Sequence, residues 1–94
     1  MEINKMLTIS STHIKPETWK TLENEPPFEI VVYNKECEFG LYGFFILVID
    51  SESCNAPEDL AACMRFAEDH DCAWLCLDTD GEVLPELPTY EERY

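Results

Sequence analysis

Cys63, His70, Cys72 and Cys76 fall within fourteen residues and form the densest set of potential metal ligands in the chain. Structural zinc sites draw on closely spaced pairs of the form C-x2–4-C, and Cys72 with Cys76, three residues between them, has that spacing. The local pattern argues against such a site. A strand holding Cys72, Trp74 and Cys76 on one face sends both thiols into a sheet surface, and Cys63 lies in an apolar helical stripe. Asp78-Thr79-Asp80-Gly81 opens like a calcium loop, but the glycine arrives too early and no Glu follows at the required offset. Nucleophilic chemistry would pair a cysteine with His13 or His70. The spacing puts neither beside a thiol, and acidic surroundings raise a thiol pKa. Among twenty Asp and Glu a carboxylate pair can always be chosen, so choosing one carries no information about acid–base catalysis. Only three glycines are present, and none sits in a phosphate-cradling loop. The expectation is a protein with no catalytic residues, no metal and no cofactor.

The elements that would position these residues are read from pattern. Met6 to Ser10 is a short β-rich segment, followed by a turn at Ser11-Thr12-His13. Pro16 suits the first position of a short helix with Trp19 and Leu22 on its packing face, which Pro26-Pro27 must end. Phe28 to Tyr33 alternates as a strand, Asn34 to Gly40 reads as a polar turn, and Leu41 to Ile49 is apolar on both faces, as in the middle of a sheet. Pro57, Glu58 and Asp59 open a second helix whose stripe is Leu60, Cys63, Met64 and Ala67 and which ends near Asp69 or His70. Cys72 to Leu77 is a further strand, the Asp80-Gly81 pair signals a hairpin, and Val83-Leu84 returns as a brief edge strand. Trp19 and Trp74 read as core residues; Tyr90 and Tyr94 are the better candidates for a contact, with docking back onto the domain the simpler reading for both. Strand, helix, strand, strand, helix, strand is the split βαβ order. The expected fold is therefore one α+β domain over residues 1–94, with residues 85–94 as a tail. Its ferredoxin-like antiparallel sheet of about four strands carries both helices on one face.

Charge is the chain's most extreme property, with twenty acids against six Lys and Arg and a formal net of -14. The excess is uneven. Residues 1–47 hold seven acids and four bases, whereas residues 48–94 hold thirteen acids against Arg65 and Arg93 alone. Such self-repulsion opposes compaction, and an obvious counterpart is a positively charged partner. Fourteen charges match those on roughly 24 Å of DNA duplex, close to the diameter of a domain this long, whose radius of gyration is about 13 Å. The chain thus excludes direct nucleic-acid and anionic-membrane binding while having the charge to imitate a nucleic acid. The longest apolar run falls short of the ~20 residues of a membrane-spanning helix, and no leader pattern follows Lys5. Five cysteines, an odd number, without an export signal imply reduced thiols and a cytoplasmic protein.

Four stretches then carry a resemblance: Thr8-Ile9-Ser10-Ser11-Thr12-His13-Ile14, Pro57-Glu58-Asp59-Leu60-Ala61-Ala62-Cys63-Met64-Arg65-Phe66-Ala67, Trp74-Leu75-Cys76-Leu77-Asp78-Thr79-Asp80-Gly81 and Leu87-Pro88-Thr89-Tyr90. Together they resemble an uncharacterised family of short acidic bacterial proteins carried on prophages and plasmids, beside anti-restriction and toxin–antitoxin genes. That context implies a non-enzymatic inhibitor of the anti-CRISPR or anti-restriction type, in which carboxylates replace phosphates in the basic groove of a host defence protein. The residues expected to make the contact are Glu68, Asp69, Asp71, Asp78, Asp80, Glu82 and Glu86, with Glu91 and Glu92 extending the patch. The alternative is a small regulatory or antitoxin-like protein that binds its partner through an apolar surface, its acidity serving solubility. A zinc-stabilised binding module is the third. A homodimer through the edge after Gly81 or the Phe44-Phe45 face is left open.

Overall fold

Alternation in three strands produces one continuous apolar row, and the rest of the fold is arranged around it. In the computed structural model, which describes residues 1–24, 30–38, 40–48 and 55–90, the strands are β1 (Met6–Ser10), β2 (Val32–Cys37), β3 (Gly40–Leu47) and β4 (Trp74–Asp78). The helices are α1 (Pro16–Glu23) and α2 (Glu58–Asp69), with a 3-10 turn at Ser11–His13. Pairing sets Ile9 beside Leu77, Leu77 beside Phe44 and Leu75 beside Ile46. All five are fully buried, and they join Trp19 and Leu22 of α1 and Leu60, Cys63 and Met64 of α2 in a single core cluster. Both helices therefore cover the same face of the sheet. Trp19 meets Phe44 edge-on, ring centroids 4.8 Å apart. The stripe expected for the second helix is the buried one, and α2 ends at Asp69.

The domain is α+β as the pattern indicates, but the sheet is mixed, not antiparallel. Its order is β1-β4-β3-β2, with β1 and β4 parallel and the other two pairings antiparallel. The ferredoxin-like order would place β1 in the interior and β4 at the edge. Here they exchange places, and burial explains why: Leu75, Cys76, Leu77 and Asp78 are all buried, whereas Met6 and Thr8 of β1 are exposed. The strand with two sides to hide takes the interior position.

Two further expectations are corrected. β2 runs from Val32 to Cys37, so Asn34 to Cys37 is strand and not turn; Phe28 and Glu29 lie outside the described residues. β2 is an edge strand, and its Lys35 and Glu36, with an irregular register between them, are features that discourage another strand from pairing there. Nor does Val83-Leu84 form an edge strand. After the turn in which the Gly81 amide donates to the Asp78 carbonyl at 3.0 Å, the chain makes one backbone bond to β1, from the Ser10 amide to the Glu82 carbonyl at 2.8 Å. Gly81 is required by this close passage, since a Cβ there would lie 2.4 Å from the Ile9 carbonyl oxygen.

Buried polar groups fasten the periphery. The Asp59 carboxylate accepts the Lys15 amide at 2.8 Å and the Thr18 hydroxyl at 2.7 Å, and so supplies from α2 the N-terminal cap that Lys15 cannot give α1. His13, 1 % exposed, holds residues 84–88: the Leu84 amide donates to its Nε2 at 2.9 Å and its Nδ1 bonds the Pro88 carbonyl at 2.8 Å. A carbonyl only accepts, so Nδ1 carries the proton and the ring is the neutral Nδ1–H tautomer. The Tyr90 amide then donates to the Thr12 carbonyl at 2.7 Å, and Leu84 and Leu87 pack on the core. Among the described residues no helix is long and apolar enough to cross a membrane.

His13→Ala removes a buried ring and leaves two part-buried backbone groups, the Leu84 amide and the Pro88 carbonyl, without this partner, at up to about 1–3 kcal/mol each. Urea unfolding should show a loss on the order of 2–5 kcal/mol, and limited proteolysis should cut first within residues 82–90. An unshifted urea midpoint would remove His13 from this role.

Candidate functional site

The acidic residues expected to form one patch are divided by the fold. Glu68, Asp69 and Asp71 surround the end of α2 and precede Trp74, the first residue of β4. Asp80, Glu82 and Glu86 follow its last, Asp78. A five-residue strand separates the two groups by about 13 Å of backbone. All six are exposed. Glu91 and Glu92 lie outside the described residues.

Asp78 departs from the expectation of a surface contact. It is 8 % exposed, and its carboxylate accepts the Lys35 ammonium at 2.6 Å and the Asp80 amide at 2.7 Å. The bond from Lys35 is the main reason its pKa falls below the ordinary 3.8, and the bond to Asp78 likewise raises that of Lys35 above 10.5. Lys35 also reaches the Cys76 thiol at 3.6 Å and lies over the rings of Phe45, at 5.4 Å, and Tyr42, at 5.6 Å. The pair is internal, so this carboxylate is already spent.

The end of α2 is built against its own electrostatics. His70, Asp71 and Cys72 close the helix with a Schellman turn, in which the Cys72 amide donates to the Ala67 carbonyl at 2.9 Å and the Asp71 amide to the Glu68 carbonyl at 3.0 Å. Asp71 holds the left-handed position with φ 57°, where glycine is favoured. The last turn contains no basic residue, and the nearby Lys5 ammonium donates to the His70 carbonyl at 2.9 Å. Lys5 thus brings a positive charge from outside the helix to the negative end of its dipole, the end that Asp69 and Asp71 load with negative charge.

Sequence reading gave β3 two apolar faces but did not show which side chains gather on the face turned away from the helices. Met6, Trp74 and Leu47 lie abreast on β1, β4 and β3, and Tyr33 pairs with Phe45 one step along. Their side chains alternate away from the helices. Tyr33 is 59 % and Met6 44 % exposed, Val31 beside Leu47 is exposed, and Phe45, Leu47 and Trp74 are half-buried. Tyr33 and Trp74 lie with ring centroids 6.2 Å apart. Trp74 is thus a surface aromatic, unlike Trp19 at 5 % exposure. Along β4 the uncovered face passes from the α2 acids through Trp74 and Cys76 to the Lys35–Asp78 pair.

The remaining chemical candidates stay apart. Cys63 is buried, and burial, with the Asp59 charge nearby, pushes its thiol up to about 12; it donates to the His13 carbonyl at 3.6 Å while the His13 ring is engaged elsewhere. His70 bonds the Phe66 carbonyl at 2.9 Å and stacks on its ring. Among the described residues no three His, Cys, Asp or Glu side chains are grouped to hold a metal ion, and Cys54 lies outside them. Tyr90 is half-buried under the Lys15 ammonium, while Tyr94 lies outside the described residues.

The Lys35–Asp78 pair gives a pH signature with a defined sign. The lowered Asp78 pKa contributes stability that is present above its unfolded value and lost as pH falls through the folded one; the raised Lys35 pKa contributes stability lost only as pH rises beyond 10.5. Asp78→Asn should cost about 1.5–3 kcal/mol at neutral pH. In urea titrations the gap between the two proteins should close as pH falls below 3.8. A gap independent of pH would show that the lost stability does not come from the charge.

Neither the curated proteins nor the solved structures contain a match to this chain. A sequence model for the C-terminal domain of a family of unknown function, DUF5983, matches residues 6–92, from the first residue of β1 to beyond the His13-anchored segment, and the chain belongs to that family.

Proposed function

We propose that this protein is a non-enzymatic inhibitor of the anti-CRISPR or anti-restriction type, carried by a prophage or plasmid and acting in the cytoplasm. In this reading it occupies the basic nucleic-acid groove of a host defence protein, with carboxylates standing in for phosphates. The observation that carries the reading is the placement of Asp69 and Asp71. Each carboxylate at a helix C-terminus costs about 0.3–1 kcal/mol, and Asp71 holds a backbone position that favours glycine. Acids needed only for solubility have cheaper positions on this surface. Residues that break local rules without a gain to the fold point to a demand from outside it. Size agrees: the domain extends 34 × 29 × 29 Å, enough to span the roughly 24 Å of duplex whose charge it matches. The same charge opposes direct binding to nucleic acid or to anionic lipid.

A second reading, a regulatory or antitoxin-like protein that binds through an apolar surface, is favoured by a different observation, the aromatic residues on the uncovered sheet face. Salt separates the two. Affinity carried by exposed charge falls steeply as ions screen it, whereas an apolar contact is nearly indifferent.

Reversing Asp69, Asp71, Asp80 and Glu82 to Lys should abolish protection of an incoming phage in a host that carries the targeted restriction or CRISPR system, with the circular dichroism of the domain unchanged. Full protection by that variant would sink the proposal. Asp71→Gly should raise the melting temperature by about 2–6 °C, because it relieves the left-handed residue and removes a charge from the helix end, and should weaken inhibition at the same time.

A further inference from the structure

We infer that the sheet face turned away from both described helices, centred on Trp74 and Tyr33, is an interaction surface for a protein whose apolar centre is bordered by Arg or Lys side chains. The inference rests on the proposal of a basic partner and adds the surface that anchors it. Four strands contribute apolar side chains to one end of this face, Met6, Trp74, Leu47, Phe45 and Tyr33 among them. Three of the six large hydrophobic side chains most exposed in the described structure, Met6, Val31 and Tyr33, lie on it. Contiguous exposed apolar surface of this kind marks a binding site more often than a solvated surface does. Its composition also fits, since tyrosine and tryptophan at the centre of a patch with charge at its border is the anatomy of a protein interface.

Charge decides between occupants. Glu68 and Asp69 end α2, which packs on the opposite face, and Asp71 lies in the turn that leads from α2 into Trp74, so the three acids lie at the same end of the sheet as the apolar side chains. At the other end Lys35 is already neutralised by Asp78 and attracts nothing. A second copy seated face to face would bring two such acidic groups together, each on a chain of net charge -14. A single-stranded nucleic acid would meet the same repulsion despite the rings available for stacking. A surface with apolar side chains at its centre and guanidinium groups around it satisfies both parts. Arg suits it more than Lys, because a guanidinium stacks on an aromatic ring while pairing with a carboxylate.

The test uses the full chain, labelled with 15N, and two synthetic 14-residue peptides of equal positive charge, one alternating Arg with Leu and the other Arg with Ser. The Arg/Leu peptide should shift the Trp74 indole and the Tyr33 and Leu47 amides together with those of residues 68–71, and bind at least about tenfold tighter than Arg/Ser, which should shift the acidic amides alone. Tyr33→Ser should remove most of that difference while leaving Arg/Ser binding unchanged. Equal affinities for the two peptides, with no response at Trp74, would overturn the inference and leave the acidic-contact proposal standing. Failure of both peptides to bind would overturn both. Concentration-dependent shifts at Tyr33 and Trp74 without peptide would overturn it in favour of a second copy.

Discussion

Placement of both helices on one face of the sheet is the constraint from which the other features of this domain follow. A chain with net charge -14 compacts against its own repulsion, and the term that opposes the repulsion is burial of the Ile9, Leu77, Phe44, Leu75 and Ile46 row beneath Trp19, Leu60 and Met64. Among the described residues there are two α-helices, one of them eight residues long, and both pack on one side. The other side has to be managed by the strands themselves. At one end this is done by polar means, Lys35 closing over Asp78, Cys76 and Phe45. At the opposite end the aromatic residues are left open.

The buried polar groups act as fasteners between segments far apart in sequence. Asp59 ties the start of α1 to the start of α2, and His13 ties the turn after β1 to residues 84–88. Both satisfy backbone donors that would otherwise be stranded, which is where a hydrogen bond matters most for stability. Burial also removes Asp59 and Asp78 from the surface. Of the twelve acids exposed among the described residues, six, Glu68, Asp69, Asp71, Asp80, Glu82 and Glu86, flank β4 in the chain, three before it and three after it.

How much of this could be read from the chain depends on the range over which each feature is decided. The stripe of Leu60, Cys63, Met64 and Ala67 sets α2 by local periodicity, and the apolar run from Leu41 sets β3 in the sheet interior. β2 was obscured because an edge strand that protects itself with Asn34, Lys35 and Glu36 looks like a turn. The parallel pairing of β1 with β4 is a contest between two strands for one interior position, and the signal was present in the unbroken Leu75-Cys76-Leu77 run against Thr8 in β1. The commitment of Asp78 was not legible, since its partner lies 43 residues away. The uncovered face was half legible: alternation showed that β3 and β4 are apolar on both sides, but the number of helices, not the strands, decides which side lacks a cover.

A surface that combines exposed acids with an aromatic sheet face would have a kinetic meaning for the proposed inhibitor, which would have to compete with nucleic acid. Exposed carboxylates accelerate encounter with a basic groove, yet each exposed ion pair adds only about 0.2–1 kcal/mol and is weakened by salt. A contact made from them alone would form quickly and also release quickly. Most differences in affinity between related complexes lie in the dissociation rate, which is governed by desolvated, well-packed anchors. Trp74 and Tyr33 are the residues of this surface suited to that part, and the acids at the end of α2, at the same end of the sheet, are suited to the first. On the proposed function, the electrostatic and apolar readings would be successive stages of one binding event, steering by charge and retention by the sheet face.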